Sequence, residues 1–214
     1  MKKRKVIILG STGSIGVSTL KVLEKNKSKF SIELLTANNN YKKLVEQTKK
    51  FKPKNILIVN SAFYKKVKNS LKNNKTKIYS GDIPITKIIS GKVDFTMSAI
   101  VGVAGLQPTV DAIKISKTVA LANKESIISG WDILLKYIKK YKTKILPVDS
   151  EHFSIMELTK NIKDEEVEEI IITASGGPFL NISKNKLNHV KPSQAIKHPN
   201  WKMGKKISVD SANL

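Results

Sequence analysis

Val6-Ile7-Ile8-Leu9-Gly10-Ser11-Thr12-Gly13-Ser14-Ile15-Gly16 is the stretch whose reading decides the fold. Four apolar residues read as a strand, three glycines spaced GxxGxxG read as a tight turn, and Ser14–Glu24 reads as the helix that follows. Glycine lets the backbone turn sharply and approach a phosphate. The helix N-terminus then offers unsatisfied N–H groups and the positive end of its dipole. The spacing departs from GxGxxG, and an ordinary glycine-rich turn between strand and helix could carry the same letters. The place of the turn, directly after a strand, is what points to a bound nucleotide.

The same alternation continues outward. Strands are expected at Ile32–Thr36, Ile56–Val59, Val93–Met97, Thr118–Leu121 and Lys144–Val148. Helical periods cover Leu44–Phe51, Ala62–Leu71, Pro108–Ile115 and Ile127–Tyr141, and the Lys/Asn-rich stretch at 65–77 reads as a solvated helix surface. Strands alternating with helices through short turns predict an α/β fold with a doubly wound, Rossmann-like parallel sheet. Beyond Glu151 the rhythm changes: Glu168–Thr173 reads as a strong strand, Ser175-Gly176-Gly177-Pro178 forces a turn, and no further βαβ unit follows. The expected organisation is a nucleotide-binding domain over 1–149 and the start of an incomplete α+β catalytic domain over 150–214.

Composition narrows the function. The 214 residues contain no cysteine, which removes disulfides and thiolate metal sites, and 40% apolar content supports a packed core. The basic–apolar start resembles a signal peptide, but its apolar run breaks at Gly10, short of the roughly 7–15 residues such a segment needs. No run approaches the roughly 20 apolar residues of a membrane span. A soluble, cytoplasmic protein without a membrane partner is expected. The net charge of +22 raises nucleic-acid binding. Against it, Arg4 is the only arginine, and the lysines are dispersed along the sequence as compositional drift would leave them. No nucleic-acid partner is expected.

Two further regions carry chemistry. In Pro147-Val148-Asp149-Ser150-Glu151-His152, residues i and i+2 of an extended segment point the same way, so Asp149 and Glu151 could aim two carboxylates at one hard cation such as Mg2+ or Mn2+. A polar strand end with a helix cap would look the same. Leu121-Ala122-Asn123-Lys124-Glu125-Ser126 places a lysine and polar neighbours after the preceding strand. The second strand ends in Thr36-Ala37-Asn38-Asn39-Asn40, without the carboxylate that usually binds the ribose hydroxyl of NAD, and Lys42 and Lys43 follow. NADPH is therefore favoured over NADH. Ser175-Gly176-Gly177 and Ser208-Val209-Asp210-Ser211 suit a substrate phosphate or a plain structural turn equally. His198–Gly204 could form a water-excluding lid or a packed surface loop. His152 and His189 show no partner in the sequence.

Taken together, G-S-T-G-S-I-G, L-A-N-K-E-S, P-V-D-S-E-H, S-G-G-P-F, H-P-N-W-x-M-G and K-I-S-V-D-S-A, in that order, closely resemble the 1-deoxy-D-xylulose 5-phosphate reductoisomerase family. The resemblance runs from residue 5 to Leu214 and covers the N-terminal part of that family's chain. It implies an NADPH- and divalent-metal-dependent enzyme that converts 1-deoxy-D-xylulose 5-phosphate to 2-C-methyl-D-erythritol 4-phosphate, with Mn2+ or Mg2+ as the metal and a homodimer at full length. By resemblance, Thr12, Gly13, Ser14, Ile15, Asn38, Asn39, Asn40, Asn123, Glu125 and Gly204 are cofactor-binding positions. Lys124, Ser150, Glu151, Ser175, His198 and Ser211 match substrate positions, and Asp149 and Glu151 match metal ligands. Lys124, Asp149, Glu151 and His198 form the expected catalytic set.

One departure stands out. Ala37-Asn38-Asn39-Asn40 replaces the family's Ala-Gly-Lys-Asn, so Lys42 or Lys43 is left to serve the adenosine phosphate. The family's third metal-binding glutamate and phosphate-binding Asn-Lys pair have no match before Leu214, so residues 1–214 alone are expected to be inactive. A semialdehyde-type dehydrogenase would share the glycine turn but requires a cysteine. A non-catalytic nucleotide-binding remnant is the remaining alternative.

Overall fold

The computed structural model describes residues 3–173, 176–200 and Val209. They fall into two compact units, Met1–Glu157 and Leu158–Leu214. In the first unit, strands β1 (Arg4–Leu9), β2 (Phe30–Ala37), β3 (Asn55–Ile58), β4 (Lys77–Ser80), β5 (Val93–Ser98), β6 (Ser116–Leu121) and β7 (Lys144–Pro147) form one sheet. All neighbours are parallel, in the order β4-β3-β2-β1-β5-β6-β7. Parallel strands need crossovers. These are α1 (Ser14–Lys25), α2 (Tyr41–Phe51), α3 (Tyr64–Ser70), α4 (Ile85–Ile88), α5 (Leu106–Ile115) and α6 (Lys124–Tyr141). A seventh helix, α7 (Ser150–Thr159), follows β7.

Both faces of the central strands are buried, which is why Val6–Leu9, Leu34-Leu35 and Ile56-Leu57-Ile58 run apolar without alternation. The period of two sorts β1 between them. Val6 and Ile8 join a core with Leu20 and Leu23 of α1, Leu44 and Val45 of α2, and Val67 of α3. Ile7 and Leu9 join the opposite core with Ile85 and Ile88 of α4, Val110 and Ile113 of α5, and Leu134 of α6. Helices α1–α3 thus cover one face and α4–α6 the other, the doubly wound arrangement that the alternation predicts.

Three sequence expectations need correction. The 65–77 stretch is not a single helical surface. Helix α3 ends at Ser70, and Lys77–Ser80 adds β4 as an edge strand, whose leading lysine and part-exposed residues suit an unpaired edge. Asp149 and Glu151 do not lie in an extended segment, because α7 begins at Ser150. Glu168–Thr173, in the second unit, forms no strand among the described residues. Its Ile170, Ile171 and Ile172 are 56%, 73% and 67% exposed. β-Branched residues favour strands by packing on a half-buried pleat, and among the described residues this run meets no such surface.

The second unit also contains a 3₁₀ turn at Asp164–Glu166 and two short helices, α8 (Lys184–Leu187) and α9 (Pro192–Ala195). Gly176 and Gly177 take φ of 77° and 57°, the left-handed region that the expected turn requires.

Candidate functional site

Seven parallel strands deliver all their outgoing loops to one edge of the sheet, and the winding reverses between β1 and β5. A doubly wound sheet opens its binding crevice at such a reversal. The glycine turn lies there. Gly10 has φ of +75°, and a Cβ on it would stand 2.7 Å from the Ala99 carbonyl oxygen of the β5 loop. A Cβ on Gly16 would stand 2.4 Å from the Gly10 oxygen, so α1 can rest on the turn only without a side chain at that position. Gly13 is the α1 N-cap and provides no side-chain cap. The first N–H groups of α1 are thereby left for an incoming acceptor. Thr12 is half-buried, while Gly13, Ser14 and Ile15 are exposed around them.

A buried polar network that sequence reasoning missed holds this turn. The Gly10 N–H donates to Thr36 Oγ1 (2.9 Å) and the Ser11 N–H to the Thr36 carbonyl (2.9 Å). Ser11 Oγ donates to Gln47 Oε1 (2.7 Å), and Gln47 Nε2 returns a bond to the Ser11 carbonyl (2.8 Å). The one available signal was Gln47, a polar residue on the inward stripe of α2 beside Leu44. At the end of β2, Asn38, Asn39 and Asn40 are exposed. Asn40 caps α2 by accepting from the Lys43 N–H, and Asn39 accepts from Asn60 Nδ2 (2.8 Å), so one of the three side chains caps a helix and another ties two loops together.

Asn123 is 2% exposed and caps α6 by accepting from the Ser126 N–H (3.0 Å). Its Nδ2 donates to the carbonyls of Ile100 (2.5 Å) and Gly102 (2.9 Å) in the β5 loop. Both donors and one lone pair of the amide oxygen are thus engaged, which leaves the side chain no free donor for a nucleotide. Lys124, the next residue, is exposed on the first turn of α6, and Glu125 is half-buried where the helix dipole favours an acid. Gly130 breaks α6 with φ of −149°, and a Cβ there would meet Leu106 Cδ1 at 2.6 Å.

Leu121 of β6 lies beside Pro147 of β7, so Lys124 and Asp149 leave adjacent strand ends. Asp149 Oδ1 accepts from the His152 N–H (2.9 Å) and meets His152 Nδ1 at 2.6 Å, which gives His152 the partner that the sequence did not show. Burial pushes the Asp149 carboxyl up, but the His152 N–H and ring more than offset this and hold it below the ordinary carboxylate value. Glu151 is exposed one residue into α7, and its Oε2 accepts from Ser150 Oγ (3.0 Å). Carboxylate oxygens are the hard donors that Mg2+ or Mn2+ takes, but among the described residues no group of three or more carboxylate, histidine or cysteine side chains comes together.

Thr12, Gly13, Ser14, Ile15, Asn123, Lys124, Glu125, Asp149, Ser150 and Glu151 thus occupy one edge of the first unit, with Asn38–Asn40 further along it. His198 belongs to the second unit, where its Nδ1 accepts from the Asn200 N–H (3.1 Å). Ser175, Gly204 and Ser211, with Trp201 and Met203, lie outside the described residues.

A parallel doubly wound sheet with an uncapped, glycine-led helix at its reversal point defines a Rossmann-like nucleotide-binding protein. Residues 6–131 match the family profile for 1-deoxy-D-xylulose 5-phosphate reductoisomerase, and residues 145–214 match that enzyme's C-terminal domain profile. The chain belongs to the 1-deoxy-D-xylulose 5-phosphate reductoisomerase family. It is 50% identical over 213 residues to the enzyme of Pelagibacter ubique, covering 99% of this chain and 55% of that one. It is 45% identical over 212 residues to that of Wolbachia pipientis, covering 99% and 54%. The Zymomonas mobilis enzyme in complex with NADPH superposes with a TM-score of 0.88 at 39% identity, over 99% of this chain and 54% of that one. A DOX-P reductoisomerase in complex with NADPH, fosmidomycin and magnesium gives 0.86 at 35% identity, over 98% and 54%. The chain spans about half the length of the curated relatives it matches.

Proposed function

We propose that this chain carries the cofactor-binding half and part of the catalytic half of an NADPH- and divalent-metal-dependent reductoisomerase, divided near residue 149. The enzyme converts 1-deoxy-D-xylulose 5-phosphate to 2-C-methyl-D-erythritol 4-phosphate, in the cytoplasm and as a homodimer. The observation that carries the reading is one sheet edge that holds both an uncapped α1 N-terminus and the Lys124, Asp149 and Glu151 side chains.

When bound, NADPH supplies the hydride, and the cation supplies Lewis-acid polarisation of the substrate oxygens. The residues of the chain provide the remainder. The Gly13–Gly16 turn receives the pyrophosphate on main-chain N–H groups. The exposed loop Asn38–Asn40 that follows β2, with Lys42 or Lys43, accommodates the 2′-phosphate. Asp149 and Glu151 hold the cation, with the Asp149 carboxylate orientated by His152. Lys124 places positive charge where the substrate oxygen becomes anionic. Ser150, Ser175 and Ser211 hydrogen-bond the substrate, so that binding energy remote from the reacting carbons positions them. His198 is assigned to the substrate by its match to a substrate position of the family.

The test is an NADPH-oxidation assay with 1-deoxy-D-xylulose 5-phosphate and Mn2+ or Mg2+ on the protein that carries this chain. Turnover that stops on chelation and returns with metal is expected. Turnover indifferent to chelation would overturn the metal assignment, and NADPH binding with no turnover would overturn the enzymatic one.

A further inference from the structure

Lysines that look dispersed along the chain are gathered by the fold. The seven connections that leave the C-terminal ends of the strands, where the nucleotide turn lies, contain no lysine or arginine. The connections from the helices back into β2–β5 and β7 contain eight lysines and no acid. Every strand has a lysine at its start: Lys5 in β1, Lys29 before β2, Lys54 before β3 and Lys77 opening β4. Lys92 precedes β5, Lys117 is second in β6, and Lys144 opens β7. All are exposed except Lys5, which is half-buried.

Compositional drift would load both sets of connections alike. Site chemistry does not explain the asymmetry either, since the lysine-free loops are the ones that face an anionic cofactor in the proposed function. Helix dipoles explain part of it, because helix C-termini lie at this edge and favour cations. They do not explain Lys77, Lys117 and Lys144, which belong to strands.

We propose that the amino edge of the sheet is a second binding surface, for the sugar-phosphate backbone of a single-stranded nucleic acid, held without sequence preference. Neighbouring strands lie about 4.8 Å apart, so seven of them set these lysines in a row roughly 29 Å long. A row suits a linear polyanion better than a flat membrane, and binding to a membrane surface also calls for apolar insertion, for which the connections at this edge expose no large apolar residue. A single arginine in the chain leaves little means of reading bases. The surface is opposite the nucleotide turn, so both can be occupied at once.

Two of the seven lysines are already paired, Lys54 with Glu33 (3.0 Å) and Lys117 with Asp94 (2.7 Å). The remaining five or so phosphate contacts predict a log–log salt slope of about −3.5, and hence about a 100-fold loss of affinity between 50 and 200 mM salt.

The experiment titrates a fluorescent oligo(dT) of about twenty nucleotides into the purified protein across that salt range. The edge variant Lys29→Glu/Lys77→Glu/Lys144→Glu is compared with the helix-face variant Lys21→Glu/Lys65→Glu/Lys136→Glu, which changes net charge equally. Melting curves and NADPH titration check that both are folded. The edge variant is expected to flatten the slope by about two and weaken binding at least tenfold, while the helix-face variant stays within about threefold of the parent. Equal losses in the two variants would reduce the effect to net charge and overturn the proposal. So would absence of binding at 50 mM salt, or capture by phosphatidylserine vesicles without binding of the oligonucleotide. If the edge variant fails to fold, single Lys77→Gln and Lys144→Gln variants replace it, and an unchanged slope in both refutes the proposal.

Discussion

Gly13 and Gly16 are three residues apart, yet the structure assigns them different reasons for being glycine, and alanine substitution separates the two. At Gly16 an added Cβ would lie 2.4 Å from the Gly10 oxygen and 2.6 and 2.7 Å from Ser11 backbone carbons, none of which can rotate away. Overpacking against backbone costs about 1–3 kcal/mol or more, and the gain in helix propensity recovers about 1 kcal/mol. Because every close contact is to backbone, the upper end of that range applies, and the net loss of about 2 kcal/mol lowers the melting temperature by about 4–8 °C in a chain of this size. At Gly13 the backbone is extended, with φ −74° and ψ 172°, and a Cβ would meet only the Gly10 oxygen at 3.4 Å. Lower chain entropy contributes about 0.4–1 kcal/mol of stability and poorer N-capping removes a similar amount, so melting moves by less than about 2 °C. The new methyl would nevertheless stand on the exposed face where a phosphate approaches the helix N-terminus. Gly13→Ala should therefore melt like the parent and bind NADPH at least about tenfold more weakly, a loss of about 1.4 kcal/mol. Thermal melts and fluorescence titration on both variants decide it. Parental NADPH affinity in Gly13→Ala would show that the phosphate does not dock on this turn. Parental melting in Gly16→Ala would refute the close packing of helix on turn.

The remaining expectations are as specific. NADPH should bind more tightly than NADH because β2 ends without a carboxylate, and parallel fluorescence titrations giving equal affinities would refute this. Asn123→Ala removes three hydrogen bonds of a buried side chain and should cost about 2–4 kcal/mol in urea unfolding; a loss below about 1 kcal/mol would mean the β5 loop needs no tether. Lys117 and the Lys5 N–H hold the Asp94 carboxyl below its ordinary value of 3.8, so the native state favours the ionised form. That stability is present above the unfolded value and is lost as pH falls through the lower folded one. Asp94→Asn should thus lose under about 1 kcal/mol near neutral pH and show a flatter decline below pH 3.8 than the parent, read by urea melts at both pH values. Asp149→Asn should cut metal-dependent turnover by at least about 100-fold while NADPH binding holds.

The first unit was legible because its signals are local and repeated. Apolar runs of strand length, a glycine turn after the first of them, and helical stripes such as Leu44–Phe51 each state their own structure. The losses occurred where local preference and context compete. Ile170-Ile171-Ile172 has strong strand propensity, but propensity describes fit to a half-buried surface, and only the fold reveals that the run meets none among the described residues. Strand β4 is four residues beside an apolar core, too short to stand out from the lysines and asparagines around it. Among the candidate site residues, Lys124, Asp149 and the glycines stood out by their position after strands. Thr36, Ser11 and Gln47 did not, since a buried hydrogen-bond network joins residues distant in sequence and no spacing rule encodes it. Asn123 was singled out only by resemblance, and its use as a tether between α6 and the β5 loop was not legible.

Asp149 shows why the sequence could not settle cap against ligand. The two readings are not exclusive, because a carboxylate has two oxygens. Both His152 bonds fall on Oδ1, one from the main-chain N–H and one at the ring, and together they fix the plane of the carboxylate at the N-terminus of α7. Groups that orientate a ligand in this way also tune its affinity for a cation. Capping therefore supports the ligand role and does not compete with it. This makes Asp149→Asn diagnostic. Asparagine caps helices as well as aspartate does, so the substitution keeps the cap and removes the negative charge that a hard cation needs. If Asp149 acts only as a cap, the variant should melt and turn over like the parent. If it also holds the cation, melting should stay within about 2 °C, since the cap remains, while turnover falls and the metal concentration for half-maximal rate rises. Parental turnover at limiting magnesium would leave only the cap.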